Sequence, residues 1–401
     1  MRALLPLPGL LAALLLSACG GGGGDDSTDY DFSSAFGLIG QASYTDSSAN
    51  RGGTASGKSL AQPLGGAGSD GTRLYLADYG NSRVLGYSAI PSSPETVASF
   101  VLGQPDASTS APSPAAANRL ALPSKAAVGG GQLAVADSGN NRVLIWNSLP
   151  ASAVAANVVL GQADFSGDDP GLSASQFNNP TSVAIANGKL VVVDQGNNRV
   201  LVWNSIPTAN NTPADVVIGQ SGFTSNDSDD EDSGLNKPTD AWTDGFRLLI
   251  ADTSNNRVLY YSQVPRSSGA AATYVIGQTD FSRTVAGVSQ SSLNAPTGVA
   301  SDGTRIYIAD ASNNRVVKLS SFPIANGSSF NAVYGQDSDS YSARAANDTD
   351  QDGVAGTTND NGSVDTAPDQ NTLSTPTGVS IANGVLYITD RNNHRVLEFQ
   401  P

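Results

Sequence analysis

The chain has few of the residues that carry most protein chemistry. Its 401 residues include one cysteine, Cys19, one histidine, His394, and no methionine after Met1. A disulfide within the chain needs two cysteines, so none can form. A zinc site built from several histidines is also excluded, because the chain has only one histidine. A serine–histidine catalytic pair would have to use His394.

Positive charge is also scarce, because 21 lysines and arginines face 36 acidic residues and the formal net charge is −15. Phosphate contacts dominate nucleic-acid affinity and require a basic surface. We therefore expect no nucleic-acid partner. Thirteen of the acidic residues lie in two segments, 225–232 and 337–370, where only Arg344 offsets them.

No apolar run is long enough to cross a bilayer as a helix. Arg2 precedes an apolar stretch over 4–16, which is typical of a signal peptide. Leu16-Ser17-Ala18-Cys19 resembles a bacterial lipobox. We expect residues 1–18 to be a lipoprotein signal peptide and Cys19 to become the lipidated first residue. The alternative is an ordinary secretory signal with an incidental cysteine.

The segment 19–35 is then a Gly/Asp-rich tether between the lipid and the fold. A multiply acylated cysteine gives stable anchoring, so the lipid anchor is the expected membrane contact. Gly20 favours the outer membrane over the inner one. The expected location is the bacterial cell envelope.

One pattern occurs six times and organises the rest of the chain. In the segment 306–319, IYIADASNNRVVKL, two alternating apolar runs flank an Asn-rich break, which predicts two antiparallel strands and a tight turn. Further copies start at 74, 133, 190, 248 and 386, with a period of about 58 residues until one long insertion. A period of this size predicts a solenoid or a propeller.

The Asp-x-x-Asn-x-Arg-Val hairpin resembles the NHL repeat, and the last copy carries Asn393-His394. The resemblance covers about 36–400 and implies a β-propeller. It says little about function, because propellers host unrelated activities. We assign 36–401 to one NHL-repeat propeller with an acidic insertion at 337–370.

A Gly-Gln signature predicts the outer strand of each blade, and a recurring proline precedes each inner strand. The signature first occurs at Gly40-Gln41, before any hairpin, whereas the last hairpin has none after it. The prediction is an all-β, six-bladed β-propeller of four-stranded blades, closed by the N-terminal strand, which completes the C-terminal blade. The Asn-rich turns and the long interblade segments should share one face, and the Asn-Ser-x-Pro loops the other.

Each hairpin carries an aspartate and an arginine, which we interpret as a structural turn pair, because Asp and Asn lock turns through their own backbone. The pairs are Asp78 with Arg83, Asp137 with Arg142, Asp194 with Arg199, Asp252 with Arg257, Asp310 with Arg315, and Asp390 with Arg395. His394 fills a turn position in the last copy, and Trp146, Trp203 and Trp242 fall in predicted strands, so packing roles are favoured for these four.

The acidic insertion contains one motif typical of a metal site. Asp348, Asp350 and Asp352 alternate and precede Gly353, which resembles the first half of a calcium loop. Asn359 stands where that loop has glutamate, and Asp360 follows it. Calcium at Asp348, Asp350, Asp352 and Asp360 is one interpretation, and a solvated acidic loop is the other. No other cofactor is expected.

The resemblance implies several functions, and the residues disfavour most of them. Calcium-dependent propeller lactonases and esterases use converging carboxylates, but the inner strands offer only Asp240, with Lys125 as a further charge. We predict a non-catalytic extracytoplasmic binding or scaffold protein that recognises an envelope protein or glycan. The alternative is a calcium-dependent hydrolase or lyase of the propeller type. A third interpretation is a propeller displayed for structural or adhesive reasons.

Overall fold

The computed structural model describes residues 34–336, 341, 345–347 and 367–401. These residues form six four-stranded antiparallel sheets arranged as the blades of a propeller. Blades 1 to 3 consist of β2 Gly68–Ser69, β3 Leu74–Asp78, β4 Arg83–Tyr87 and β5 Phe100–Leu102; β6 Pro123–Gly129, β7 Gln132–Asp137, β8 Arg142–Trp146 and β9 Val158–Leu160; and β10 Pro180–Ala186, β11 Lys189–Asp194, β12 Arg199–Trp203 and β13 Val216–Ile218.

Blades 4 to 6 follow the same order from the inner strand to the outer one. They consist of β14 Asp240–Thr243, β15 Leu248–Asp252, β16 Arg257–Tyr261 and β17 Tyr274–Ile276; β18 Pro296–Ser301, β19 Ile306–Asp310, β20 Arg315–Leu319 and β21 Ala332–Tyr334; and β22 Pro376–Ala382, β23 Val385–Asp390, β24 Arg395–Phe399 and the N-terminal β1 Gly37–Ile39. The predicted fold class is confirmed.

The described helices are short 3-10 turns. They are Ala49–Gly52, Tyr79–Asn81, Ser138–Asn140, Gln195–Asn197, Thr253–Asn255 and Ala311–Asn313. None of the helices in the described part of the chain is long and apolar enough to span a membrane.

The Asn-rich break between the two central strands of a blade needs a left-handed residue. In blade 4 the chain leaves β15 at Asp252, makes a 3-10 turn, and passes through Asn256 at φ +53° before β16 begins at Arg257. Asparagine tolerates this conformation better than most side chains. Each of the other five hairpins also has a residue with positive φ just before its arginine, and in the last copy this residue is His394.

Ring closure joins the two ends of the described chain. Gly37 pairs with Glu398 and Ile39 with Val396, so β1 completes the last blade. Gln41 then donates a 3.0 Å hydrogen bond from Nε2 to the Asn393 carbonyl oxygen. The predicted closure is therefore present, and no blade is left with its outer strand missing.

The core lies between blades, because each blade is buried on both faces. Val191 and Val200 of blade 3, for example, share one apolar cluster with Leu248 and Ile250 of blade 4, and all four side chains are fully buried. This burial explains why the central strands read as nearly continuous apolar runs.

The inner strand of blade 1 differs from the expectation that it begins after Pro63. It contains only Gly68–Ser69, because the preceding Gly65 has φ +60° and the chain there packs directly on blade 6. A Cβ at Gly66 would lie 2.4 Å from the Val379 carbonyl oxygen. Glycine permits this close contact at the axis.

Candidate functional site

The six Asp/Arg pairs form buried salt bridges that hold one end of the propeller together. In blade 4, Oδ2 of Asp252 accepts hydrogen bonds from Arg257 Nε at 2.7 Å and from Asn255 Nδ2 at 2.9 Å. Its Oδ1 accepts the backbone N–H of Asn236 at 2.7 Å. The carboxylate therefore fastens the hairpin turn to the segment that leads into the inner strand.

The guanidinium group of Arg257 extends the same connection to the acidic loop at 225–232. Its Nη2 donates to the carbonyl oxygens of Glu231 and Gly234, at 2.9 and 3.2 Å, and Nη1 donates to that of Asp230 at 2.6 Å. The acidic loop thus turns its backbone towards a buried cation.

We call this arrangement the clamp. In all six copies the arginine Nε to aspartate Oδ2 distance is 2.7 Å and both side chains are fully buried. Burial raises the pKa of Asp252 to about 6, and the positive charge of Arg257 opposes that rise. The pair is therefore ionised at neutral pH.

The glutamine of each Gly-Gln signature is a second part of the clamp that the sequence interpretation missed. Gln220 Nε2 donates to the carbonyl oxygens of Asn198, in the turn of blade 3, and Asp227, in the acidic loop. The same two kinds of acceptor recur for the remaining five, Gln41, Gln104, Gln162, Gln278 and Gln336. The signature marks a loop anchor as well as a strand end.

The clamps surround an open cavity on the axis, with a volume of about 230 Å³, which we call the vestibule. Its wall is formed by the residue that follows each recurring proline. These residues are Leu64, Ser124, Thr181, Thr239, Thr297 and Thr377. Five of the six carry a hydroxyl group. Each of these hydroxyl groups donates a hydrogen bond to a backbone carbonyl oxygen in the innermost segment of the next blade, at 2.9 to 3.4 Å.

A second set of residues lies around the mouth end of the vestibule. These display positions directly follow each clamp aspartate, and they are Tyr79, Ser138, Gln195, Thr253, Ala311 and Arg391. Tyr79, Ser138, Gln195 and Arg391 line the cavity. The clamp aspartate and arginine are identical in every blade, whereas the display position differs in all six. We call this end of the propeller the turn face.

The inner end of the vestibule is closed by a salt bridge across the axis. Lys125 of blade 2 donates from Nζ to Oδ1 of Asp240 in blade 4. The same carboxylate accepts Ser182 Oγ at 2.6 Å and the backbone N–H of Val299 at 2.9 Å. Asp240 is thus held by blades 2, 3 and 5, and its oxygens are occupied by protein donors.

A separate cavity lies at the opposite end of the axis, and Lys125 and Trp242 line it. Trp242 also packs against Phe322, with ring centroids 5.8 Å apart. Trp146 and Trp203 end the third strands of their blades and are almost fully buried. Trp242 therefore contacts this cavity, whereas Trp146 and Trp203 pack inside their blades.

His394 makes a structural contact in the seam between the last blade and the first. Its Nδ1 accepts the backbone N–H of Gln62 at 2.8 Å. Burial lowers the pKa of His394, so the imidazole is neutral at pH 7 and can serve as this acceptor.

The remaining predicted site residues lie outside the described residues. They are the lipidation residue Cys19 and the calcium set Asp348, Asp350, Asp352 and Asp360. Within 34–336, 341, 345–347 and 367–401, no group of three or more His, Cys, Asp or Glu side chains is placed to hold a metal ion.

Comparison with protein families supports the repeat assignment. Residues 177–203 and 373–399 match the model of the NHL repeat, which confirms the resemblance in the third and sixth hairpins. No curated protein matches the chain.

Among solved structures, a protein of unknown function from Bacteroides thetaiotaomicron is 12% identical, with a TM-score of 0.51, over 90% of this chain and 74% of that one. A streptogramin B lyase is 10% identical, with a TM-score of 0.41, over 84% and 93%. The virginiamycin B lyase from Staphylococcus aureus is 9% identical, with a TM-score of 0.43, over 86% and 97%. The similarity to the first structure shows that the two proteins share a fold. The similarity to the two lyases is too low to indicate anything about function.

Proposed function

We propose that this propeller with NHL repeats is a non-catalytic binding protein of the bacterial cell envelope. It is anchored through a lipidated Cys19, and its turn face recognises an envelope protein or glycan. The observation that carries the proposal is the contrast between the clamps and the display positions. The clamp is repeated in every blade, whereas the residue at the display position changes around the ring, and Tyr79, Gln195 and Arg391 are the partly exposed ones that line the vestibule.

Such a face suits recognition because its loops are held in place before a ligand arrives. Each clamp arginine and each signature glutamine fixes loop carbonyl groups by hydrogen bonds within the protein. A preorganised surface loses less conformational entropy on binding than a flexible one. Variation at the partly exposed display positions Tyr79, Gln195 and Arg391 then sets specificity.

The geometry at Asp240 favours binding over catalysis. A catalytic carboxylate must reach a substrate proton, a water molecule or a metal ion. Asp240 is 2% exposed, and Lys125, Ser182 and Val299 already donate to it. This carboxylate therefore stabilises the axis.

The described chain enters the fold on the side away from the turn face. Strand β1 begins at Gly37, which pairs with Glu398 near the far end of β24, and runs towards the turn. The chain before β1 thus joins the fold at the face opposite the turn face. Phe246 and Ile324, in loops of that opposite face, are 68% and 88% exposed, which fits a surface turned towards a bilayer.

Membrane fractionation tests the anchor. The wild-type chain should be recovered with the membranes and labelled by a palmitate analogue, whereas Cys19→Ser should be soluble and unlabelled. Recovery of Cys19→Ser with the membranes in unchanged amount would remove the lipid anchor from the proposal.

Affinity capture tests the binding face. The full chain is used to capture separated protein and glycan fractions of the native envelope. Tyr79→Ala with Gln195→Ala should reduce capture of the specific ligand about tenfold, and Phe246→Ala on the opposite face should leave it unchanged. Loss of capture in Phe246→Ala, with retention in the turn-face variant, would contradict the proposal.

A further inference from the structure

Arg391 places a positive charge at the mouth of the vestibule, and no described carboxylate forms a salt bridge with it. It lines the cavity, and among the described arginines it is the one with a buried side-chain nitrogen, Nε, that has no hydrogen-bond partner. Its neighbour Asp390 is paired with Arg395. A guanidinium group at the mouth of a cavity, with no described carboxylate partner, can receive an anionic group of a ligand.

The electrostatics of the vestibule favour an anion despite the acidity of the chain. Asp240 is the one carboxylate among the described lining residues, and Lys125 neutralises it. The guanidinium group therefore leaves the site with a formal charge of +1 in a chain whose net charge is −15. An anionic group is the partner that this charge selects.

The neutral groups around Arg391 suit a ligand with several hydroxyl groups. Thr181 donates its hydrogen to the Thr239 carbonyl oxygen, so the Thr181 hydroxyl oxygen remains an acceptor. Gln195 Oε1 accepts Asn179 Nδ2 at 2.9 Å, which leaves the amide nitrogen of Gln195 as a donor. Tyr79 adds a hydroxyl group and an aromatic face at the same mouth.

We propose that the vestibule binds an acidic sugar of the hexuronate class, with its carboxylate on Arg391 and its hydroxyl groups on Thr181 and Gln195. The planar fork of a guanidinium group matches a planar carboxylate through two parallel hydrogen bonds. The volume of about 230 Å³ lies below the usual range of about 300–1,000 Å³ for small-ligand sites, so the vestibule suits a single sugar better than a longer glycan. This inference deepens the proposed function, on which it rests, by naming the ligand class.

Calorimetric titration of the full chain in detergent tests the inference, with D-galacturonate as the probe and D-galactose as its neutral counterpart. We expect the wild type to bind the uronate at least tenfold more tightly than the neutral sugar. Arg391→Gln should remove this preference, and Arg391→Lys should retain only part of it, because lysine keeps the charge without the fork. Arg283→Gln alters an exposed turn-face arginine outside the vestibule and should change nothing.

A second variant distinguishes binding of the sugar hydroxyl groups from binding of the carboxylate. Thr181→Val removes one wall hydroxyl at nearly constant shape and should weaken both sugars equally, so the preference for the uronate remains. Circular dichroism melts of each variant confirm that it is folded. The inference is overturned if wild type and Arg391→Gln bind D-galacturonate equally, or if wild type binds neither sugar.

The inference can fail while the proposed function stands. If the captured envelope ligand is lost in the turn-face variant Tyr79→Ala with Gln195→Ala but retained in Arg391→Gln, the turn face binds something other than an acidic sugar. If the captured ligand is lost only in Phe246→Ala, the proposed binding face is wrong, and the titration still decides whether the vestibule binds the uronate.

Discussion

Glu398 of β24 lies opposite Gly37 of β1, and its carboxyl group fills the space that a side chain at position 37 would need. A Cβ on Gly37 would lie 2.2 Å from Glu398 Oε2. Glu398 is 6% exposed, and its Oε1 has no hydrogen-bond partner among the described residues. An unpaired acid is thus buried in the seam that closes the ring.

This acid should make stability depend on pH. Burial raises the pKa of Glu398 to about 7 from its ordinary value of 4.5. The folded state therefore favours the protonated form, so the stabilisation is complete below the unfolded pKa and is lost as pH rises through about 7. We expect Glu398→Gln to be more stable than wild type by about 3 kcal/mol at pH 8 and similar to it at pH 4.

Urea unfolding at pH 4, 6 and 8 measures this difference, because the other titrating groups are common to both proteins. Two stability curves that run parallel over this pH range would show that Glu398 does not titrate with a raised pKa in the folded state.

A clamp should contribute far more to stability than a surface ion pair. Asp252→Asn removes the charge that compensates fully buried Arg257, so we expect a loss of about 3–5 kcal/mol in the free energy of unfolding. The matched control is Asp244→Asn, whose pair with Arg247 is partly exposed, with an expected loss below about 1 kcal/mol. Thermal and urea unfolding compare the two, and equal losses would contradict a structural role for the clamp.

The closing glutamine should affect the last blade in particular. Gln41→Ala removes hydrogen bonds to the Asn393 and His394 carbonyls, at a cost of about 1–3 kcal/mol. Hydrogen exchange should then quicken in β24. The control Gln278→Ala removes the equivalent anchor within blade 4 and should quicken exchange in β16 and β17. The same exchange pattern in both variants would mean that Gln41 has no special role in closure.

The calcium motif in the acidic insertion remains a prediction from the sequence. If Asp348, Asp350 and Asp352 bind calcium, the ion should raise the melting temperature of wild type, and a chelator should reverse the rise. Asp350→Ala should abolish the shift, and Asp229→Ala in the other acidic loop should retain it. An unchanged shift in Asp350→Ala, or no shift in wild type, would leave the insertion as a solvated acidic loop.

The sequence predicted the blades, their closure and the sharing of faces because those features are repeated. A pattern such as Asp252 to Arg257 recurs six times, so each copy supports the interpretation of the others. The vestibule could not be predicted in this way. Its walls come from positions as distant as Thr181 and Arg391, and only the closed ring brings them to one cavity.

Two further features were not predicted from the sequence, for different physical reasons. The role of Gln220 depends on backbone carbonyl acceptors, which leave no trace in side-chain patterns. Glu398 does leave a signal, because it is a carboxylate in a strand whose residues are all buried. A charged residue in such a strand marks a site that packing does not explain.

Photo-crosslinking in intact cells tests the proposed binding face most directly. A photoreactive phenylalanine analogue replaces Tyr79 on the turn face in one strain and Phe246 on the opposite face in another. We predict a discrete crosslink to an envelope glycan or protein from position 79, and contact with lipid or no discrete product from position 246. A discrete partner crosslinked from position 246, with none from position 79, would contradict the proposal that the turn face is the recognition surface.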